Sequence, residues 1–160
     1  MSKKILSLCT ALALTLFSLG AIAQSENPFI GTWDIDIDES DFGSAPVPRA
    51  LARSYADLGG GRFMYLVVTT NQDGEVSATS SSYSYSGEQY PIASLDPLPT
   101  ARISYRRINE TTVEYTVRLG GEVQQIGAKF ISPNYQRLTI AIQYPNSDQK
   151  DQILVFNKRQ

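Results

Sequence analysis

The stretch Thr112-Val113-Glu114-Tyr115-Thr116-Val117-Arg118-Leu119 alternates without a fault. Val113, Tyr115, Val117 and Leu119 share one face, and Thr112, Glu114, Thr116 and Arg118 share the other. That is the pattern of a half-buried β-strand, because successive side chains of an extended chain point to opposite faces. Outward from this strand the pattern recurs. Gly120-Gly121 suits a tight hairpin turn with positive φ into the next run, 122–132. Leu138, Ile140, Ile142 and Tyr144 alternate with Arg137, Thr139, Ala141 and Gln143, and Trp33, Ile35 and Ile37 alternate with Asp34, Asp36 and Asp38. Turn signals stand between the runs at Gly59-Gly60-Gly61, Asn71-Gln72-Asp73-Gly74, Asn109-Glu110, Pro133-Asn134 and Pro145 to Asp148.

The resulting reading places strands over 31–37, 50–57, 62–70, 75–85, 101–107, 112–119, 122–132, 136–144 and 151–158. Residues 40–48, with Asp, Gly, Ser and two prolines, and 91–100, with three prolines, read as irregular crossovers. No run of about ten residues carries a helical period. The expectation is therefore an all-β chain folded as a single up-and-down antiparallel β-barrel of about eight to nine strands, since short hairpins join sequential neighbours and closure removes exposed edges.

Composition narrows the chemistry. Among 160 residues there are 14 Lys and Arg, 16 Asp and Glu, one cysteine (Cys9), one tryptophan (Trp33) and no histidine. Imidazole-based catalysis, histidine metal sites and histidine-ligated haem are thereby excluded. A net charge of −2 lacks the basic footprint of a nucleic-acid binder.

The first 23 residues read as a secretory signal peptide. Lys3 and Lys4 form a positive start, Ile5 to Ile22 an apolar stretch, and Ala21-Ile22-Ala23 a small-x-small cleavage site. The apolar stretch is interrupted by Ser7, Thr10, Thr15, Ser18 and Gly20, which disfavours a retained anchor. Cleavage after Ala23 leaves one domain, 24–160, with no cysteine, no further transmembrane segment and a net charge of −4. The expected location is periplasmic or secreted.

The opening Asn27-Pro28-Phe29-Ile30-Gly31-Thr32-Trp33 resembles the Gly-x-Trp strand of the calycins: the lipocalins, fatty-acid-binding proteins and avidins. The ordered set of this strand, Phe42, Tyr90-Pro91, Asn109 to Glu114 and Leu154-Val155-Phe156 is similar to a family of small exported bacterial lipocalin-like proteins. The resemblance implies a fold and no reaction. It also implies that Gly31 and Trp33 form a barrel floor, with Trp33 packed on Lys158 or Arg159. An ordinary core position accounts for the tryptophan equally well.

Candidate chemistry is sparse. Asp34-Ile35-Asp36-Ile37-Asp38 invites a calcium reading, but Glu39 and Ala45 stand where an EF-hand loop requires glycine and glutamate. No metal and no cofactor are expected. Carboxylates are plentiful, yet none sits alone on an apolar strand face, as a glycosidase acid would. The serine-rich run 77–86 reads as a polar strand, and Asn109-Glu110-Thr111 as a turn. More informative are Arg53 and Arg107, which share strand faces with apolar residues. A guanidinium inside a barrel is costly unless paired, and fatty-acid-binding calycins use one to hold a carboxylate. The alternative puts each arginine at a rim. Tyr65, Tyr105, Tyr115 and Tyr144, with Phe63 and Phe130, complete the expected ligand-binding set. The leading functional expectation is an exported barrel that binds a small hydrophobic or amphipathic molecule in its interior. Alternatives are a filled barrel serving as a protein-binding, inhibitor-like envelope module, and a histidine-free cavity enzyme using Tyr, Arg and Glu.

Overall fold

The computed structural model describes residues 27–95 and 100–160; the leader read at 1–23 lies outside the described residues. Eleven strands follow one another: β1 (Gly31–Asp41), β2 (Ala50–Gly59), β3 (Arg62–Thr70), β4 (Val76–Tyr83), β5 (Ser86–Pro91), β6 (Ala93–Ser94), β7 (Ala101–Arg107), β8 (Thr112–Leu119), β9 (Glu122–Ile131), β10 (Arg137–Gln143) and β11 (Gln152–Lys158). All ladders are antiparallel and form one sheet in the order β5-β7-β8-β9-β10-β11-β1-β2-β3-β4-β6. The sheet curls into a nearly closed barrel.

The strand count corrects the expected eight to nine. The difference lies wholly between 84 and 95, where a strand end and an irregular crossover were expected. After Tyr83 the chain leaves β4, crosses to the far edge as β5 against β7, and returns as the two-residue β6 against β4. This back-and-forth stitches the seam. Ser81 Oγ donates to Pro91 O at 2.8 Å, and the Tyr83 ring of β4 lies 4.1 Å from Tyr105 of β7. Only Tyr90 of β5 is buried, so neither short strand carries the alternation that betrays a strand in sequence.

One end of the barrel is filled. Trp33 is fully buried, its indole Nε1 donating to Phe29 O at 2.9 Å. The Lys158 ammonium stands 5.3 Å from the Trp33 ring, opposite it in the β1–β11 ladder, whereas Arg159 pairs with Asp34 on the outer face. Gly31 has φ of 127°, and a Cβ there would sit 3.2 Å from Lys158 Cε. Further along β1, Ile37 departs from its expected inward place: a bulge between Asp36 and Asp41 leaves it 38 % exposed. The carboxylates of Asp34 and Asp36 face outward and bind Arg159, Arg137 and Asn157.

A second bulge has the larger consequence. In the β8–β9 hairpin Leu119 pairs with Glu122 and Arg118 with Val123, but Val117 pairs with Gln125, leaving Gln124 as the extra residue. Because strand faces alternate with period two, that one residue inverts the rest of β9. Gly127, Lys129 and Ile131 point inward, and Ile126 and Phe130 become exposed. Gly127 then opposes Tyr115, and a methyl at Gly127 would overlap the Tyr115 ring.

Gly127→Ala is therefore expected to lower unfolding free energy by about 1–3 kcal/mol through overpacking. Adding Tyr115→Val should recover part of that loss, because the two changes share one contact. Denaturant titration of the two single variants and the double variant measures the coupling. A neutral Gly127→Ala would contradict the bulged register.

Candidate functional site

The inverted β9 delivers an amine to the middle of the barrel. Lys129 is 2 % exposed and sits in register between Val113 of β8 and Ile140 of β10. Tyrosines surround it: Nζ lies 4.6 Å from the Tyr55 ring centre, 4.5 Å from Tyr105, 5.3 Å from Tyr115 and 5.9 Å from Tyr65. Nζ donates one hydrogen bond, to the Tyr105 hydroxyl at 3.1 Å. The rings meet because β2–β3 places Tyr55 opposite Tyr65, and β7–β8 places Tyr105 opposite Tyr115.

A second cation faces the same space. Arg53, between Trp33 and Val67 in the ladder, stacks its guanidinium 5.5 Å from the Phe156 ring, and its Nε has no hydrogen-bond partner. Among the described residues no ion pair reaches Arg53 or Lys129; the four that exist hold Arg106, Arg137 and Arg159 on the outside. The Tyr55 hydroxyl is buried and makes no hydrogen bond.

Burial without a carboxylate perturbs every group here. Lys129 is pushed down to about 8 by burial, with Arg53 adding to the shift and Tyr55 opposing it. Burial alone would raise Tyr55, but the neighbouring Lys129 and Arg53 charges more than offset it, so this phenol is shifted downward. Tyr65, Tyr83, Tyr105 and Tyr115 are all shifted upward by burial. Tyr55 is thus the most acidic phenol of the cluster, held beside an amine whose proton is loosely bound.

Arg53 and Lys129 border a cavity of about 240 Å³. Tyr65, Tyr105 and Tyr115 line it at their level, with Val67, Thr79 and Gln125 among its other walls. Of the residues expected from sequence, Arg53, Tyr65, Tyr105 and Tyr115 are brought together here. The others are placed elsewhere. Phe63 is buried against Tyr83 and Tyr85, with ring centres 6.0 and 4.9 Å away. Arg107 lies at the barrel end, its guanidinium 5.3 Å from the Tyr85 ring and bonded to Asn27 Oδ1 and Glu110 O. Phe130 is 43 % exposed on the outer face, and the expectation that it joins the interior is corrected by the bulge. Tyr144 is half-buried, its hydroxyl donating to Gln152 Oε1 at 3.0 Å.

Sequence reasoning missed Lys129, Tyr55 and Gln125. The available signal was Gly127, an otherwise unexplained glycine within a strand, since such glycines mark bulges or close approach. Of the serine-rich run, Thr79 lines the cavity, and Ser81 is buried and bonded to Pro91 O at the seam.

Comparisons with known proteins bear on the fold. No family model matches the chain, and no curated protein matches it. Among solved structures, the wild-type fluorescent protein UnaG superposes with a TM-score of 0.56 at 13 % identity, covering 82 % of this chain and 97 % of UnaG. An asparagine-to-alanine mutant of UnaG gives 0.57 at 12 % identity, covering 83 % and 97 %. Rv2717c from M. tuberculosis gives 0.50 at 14 % identity, covering 83 % and 94 %. What the chain shares with these structures is the fold, an antiparallel β-barrel.

The buried amine makes stability depend on pH. The folded value of Lys129, about 8, lies below its ordinary 10.5, so between these values the unfolded chain binds more protons. Stability should then rise with pH from about 8 towards 10, by on the order of 2 kcal/mol. Above about 10 it should fall, because the tyrosines shifted upward, Tyr65, Tyr83, Tyr105, Tyr115 and Tyr144, ionise in the unfolded chain before they do in the barrel. Urea unfolding across this range tests the reading, with Lys129→Met expected to remove the alkaline rise.

Proposed function

We propose that the barrel interior binds a small molecule that joins an anionic group, a carboxylate in the simplest case, to an aromatic or compact apolar body. The observation carrying this reading is a pair of cations, the buried Lys129 and the half-buried Arg53 with its buried Nε, that no carboxylate faces among the described residues. An unpaired buried charge costs several kcal/mol. Contacts to aromatic faces return about 0.5–2 kcal/mol each. The rings therefore lessen the cost, and an anion between the cations would remove it. Arg53, whose Nε has no partner, and the Lys129 amine both border the cavity and are the donors such a group would meet. Tyr65, Tyr105, Tyr115 and Val67 offer the body a largely apolar wall. The volume, about 240 Å³, lies below the roughly 300–1,000 Å³ of pockets for drug-sized molecules, which favours a compact ligand over a long-chain lipid.

Calorimetric titration with 4-methylbenzoate and the uncharged 4-methylbenzyl alcohol, backed by a panel of compact aromatic and aliphatic carboxylates, tests the reading. Carboxylates should bind, and Arg53→Met should weaken them by about 10- to 100-fold, the worth of a charge-assisted hydrogen-bond pair. Equal affinity for acid and alcohol, or no binding across the panel, would sink it.

We also propose that the protein works outside the cytoplasm, on the strength of the leader at 1–23 and the cysteine-free remainder. N-terminal sequencing of the protein recovered from fractionated cells should begin at Gln24. A cytoplasmic chain that retains Met1 to Ala23 would overturn this.

A further inference from the structure

We propose that Lys129 is the nucleophile of a reversible covalent site, condensing with the carbonyl of a small oxo acid whose carboxylate is held by Arg53. This rests on the anion-binding reading above and adds the ligand's second functional group. The geometry is that of an amine at a cavity wall. Nζ borders the 240 Å³ space, spends one donor on the Tyr105 hydroxyl, and has no carboxylate to hold it as an ammonium among the described residues. Lysines are activated as nucleophiles when desolvated in an apolar pocket or set beside another cation, and Lys129 is in both situations. At pH 7.5 roughly a quarter of it would be neutral, against about one part in a thousand for an ordinary lysine.

The step balances without any further reagent. The neutral amine adds to the carbonyl carbon, forming the C–N bond while the carbonyl π bond becomes a hydroxyl. That hydroxyl leaves as water, and the C=N bond forms. Nothing is oxidised or reduced. The Tyr55 phenol, its ring centre 4.6 Å from Nζ and its acidity raised by the two neighbouring cations, supplies the proton the departing hydroxyl needs. Nitrogen gives up one proton to complete the hydroxyl and keeps the other, so the imine forms protonated and Tyr55 is left as a phenolate, which then recovers from solvent the proton that the resting ammonium shed. A protonated imine keeps the positive charge of the original ammonium, so the Tyr55, Tyr105 and Tyr115 rings that surround Nζ would stabilise the product as they do the resting side chain.

Beyond the leader the chain has three lysines, Lys129, Lys150 and Lys158, so the test has an internal control. The protein is incubated with 4-carboxybenzaldehyde and cyanoborohydride, and the reduced adduct is located by peptide mass spectrometry. We expect one adduct per chain, on Lys129, formed more than about tenfold faster than on Lys150 or Lys158, slowed by excess 4-methylbenzoate and absent in Lys129→Arg. Labelling that favours Lys150, Lys158 or the chain terminus, or that persists in Lys129→Arg, overturns the proposal. The site comparison within the wild-type chain decides even if that variant does not fold. If 4-methylbenzoate binds while Lys129 stays unlabelled, covalent capture fails and anion binding stands. If Lys129 is labelled but 4-methylbenzoate neither binds nor competes, the anion-binding reading fails, and with it the part assigned to Arg53.

Discussion

A single inserted residue governs the interior of this barrel. Gln124 is the unpaired member of the bulge between Val117 and Arg118 of β8 and their partners in β9. With it, Lys129 and Gly127 face inward; without it, the period-two rule would send Ile126, Ala128 and Phe130 there instead. The interior would then be apolar at that level, and Tyr115 would confront an isoleucine in place of a glycine. The tyrosine cage, the cavity wall and the lowered basicity of Lys129 all follow from that offset.

The cage does not fully compensate what it encloses. Two cations share a space with phenols, which are weak acids, and all but one of these are shifted upward on balance. The exception is Tyr55, and its downward shift is the imprint of the two charges beside it. A well-packed apolar set of similar volume would serve stability at least as well, because buried charges gain less from their surroundings than they lose in water. Retaining Arg53, Lys129 and Tyr55 together makes physical sense if the interior meets something that completes them.

The rest of the architecture isolates that interior. Trp33, Phe29 and Leu138 fill one end with fully buried side chains, and Arg107, Asn27 and Tyr85 tie together beside Phe63. The seam is where the regular ladder stops. There β5 and β6 trade edges, and closure depends on Ser81, Tyr83 and Tyr105 rather than on a continuous row of backbone bonds. The outward carboxylates of β1 are spent on Arg137, Arg159 and Asn157, so the acidic surface and the cationic interior do not neutralise each other.

The alternation around Tyr115 and Leu138 determined an antiparallel β class, because half-buried strands must repeat every two residues wherever they sit. Hairpin chemistry such as Gly120-Gly121 determined which neighbours pair, and the inward faces of β2, β3, β7 and β8 were readable enough to bring Arg53, Tyr65, Tyr105 and Tyr115 to one site. The two short strands of the seam could not be read, since a six-residue strand with Tyr90 as its one buried position and a dipeptide carry no period. Nor could the inward face of β9, where hydrophobicity favours Ile126 and Phe130 and the structure chooses Gly127 and Lys129. A bulge changes pairing without changing composition, so which face turns inward is settled only when the neighbouring strands impose their register. That is why the lysine at the centre of the barrel belongs to the tertiary structure and not to any local pattern.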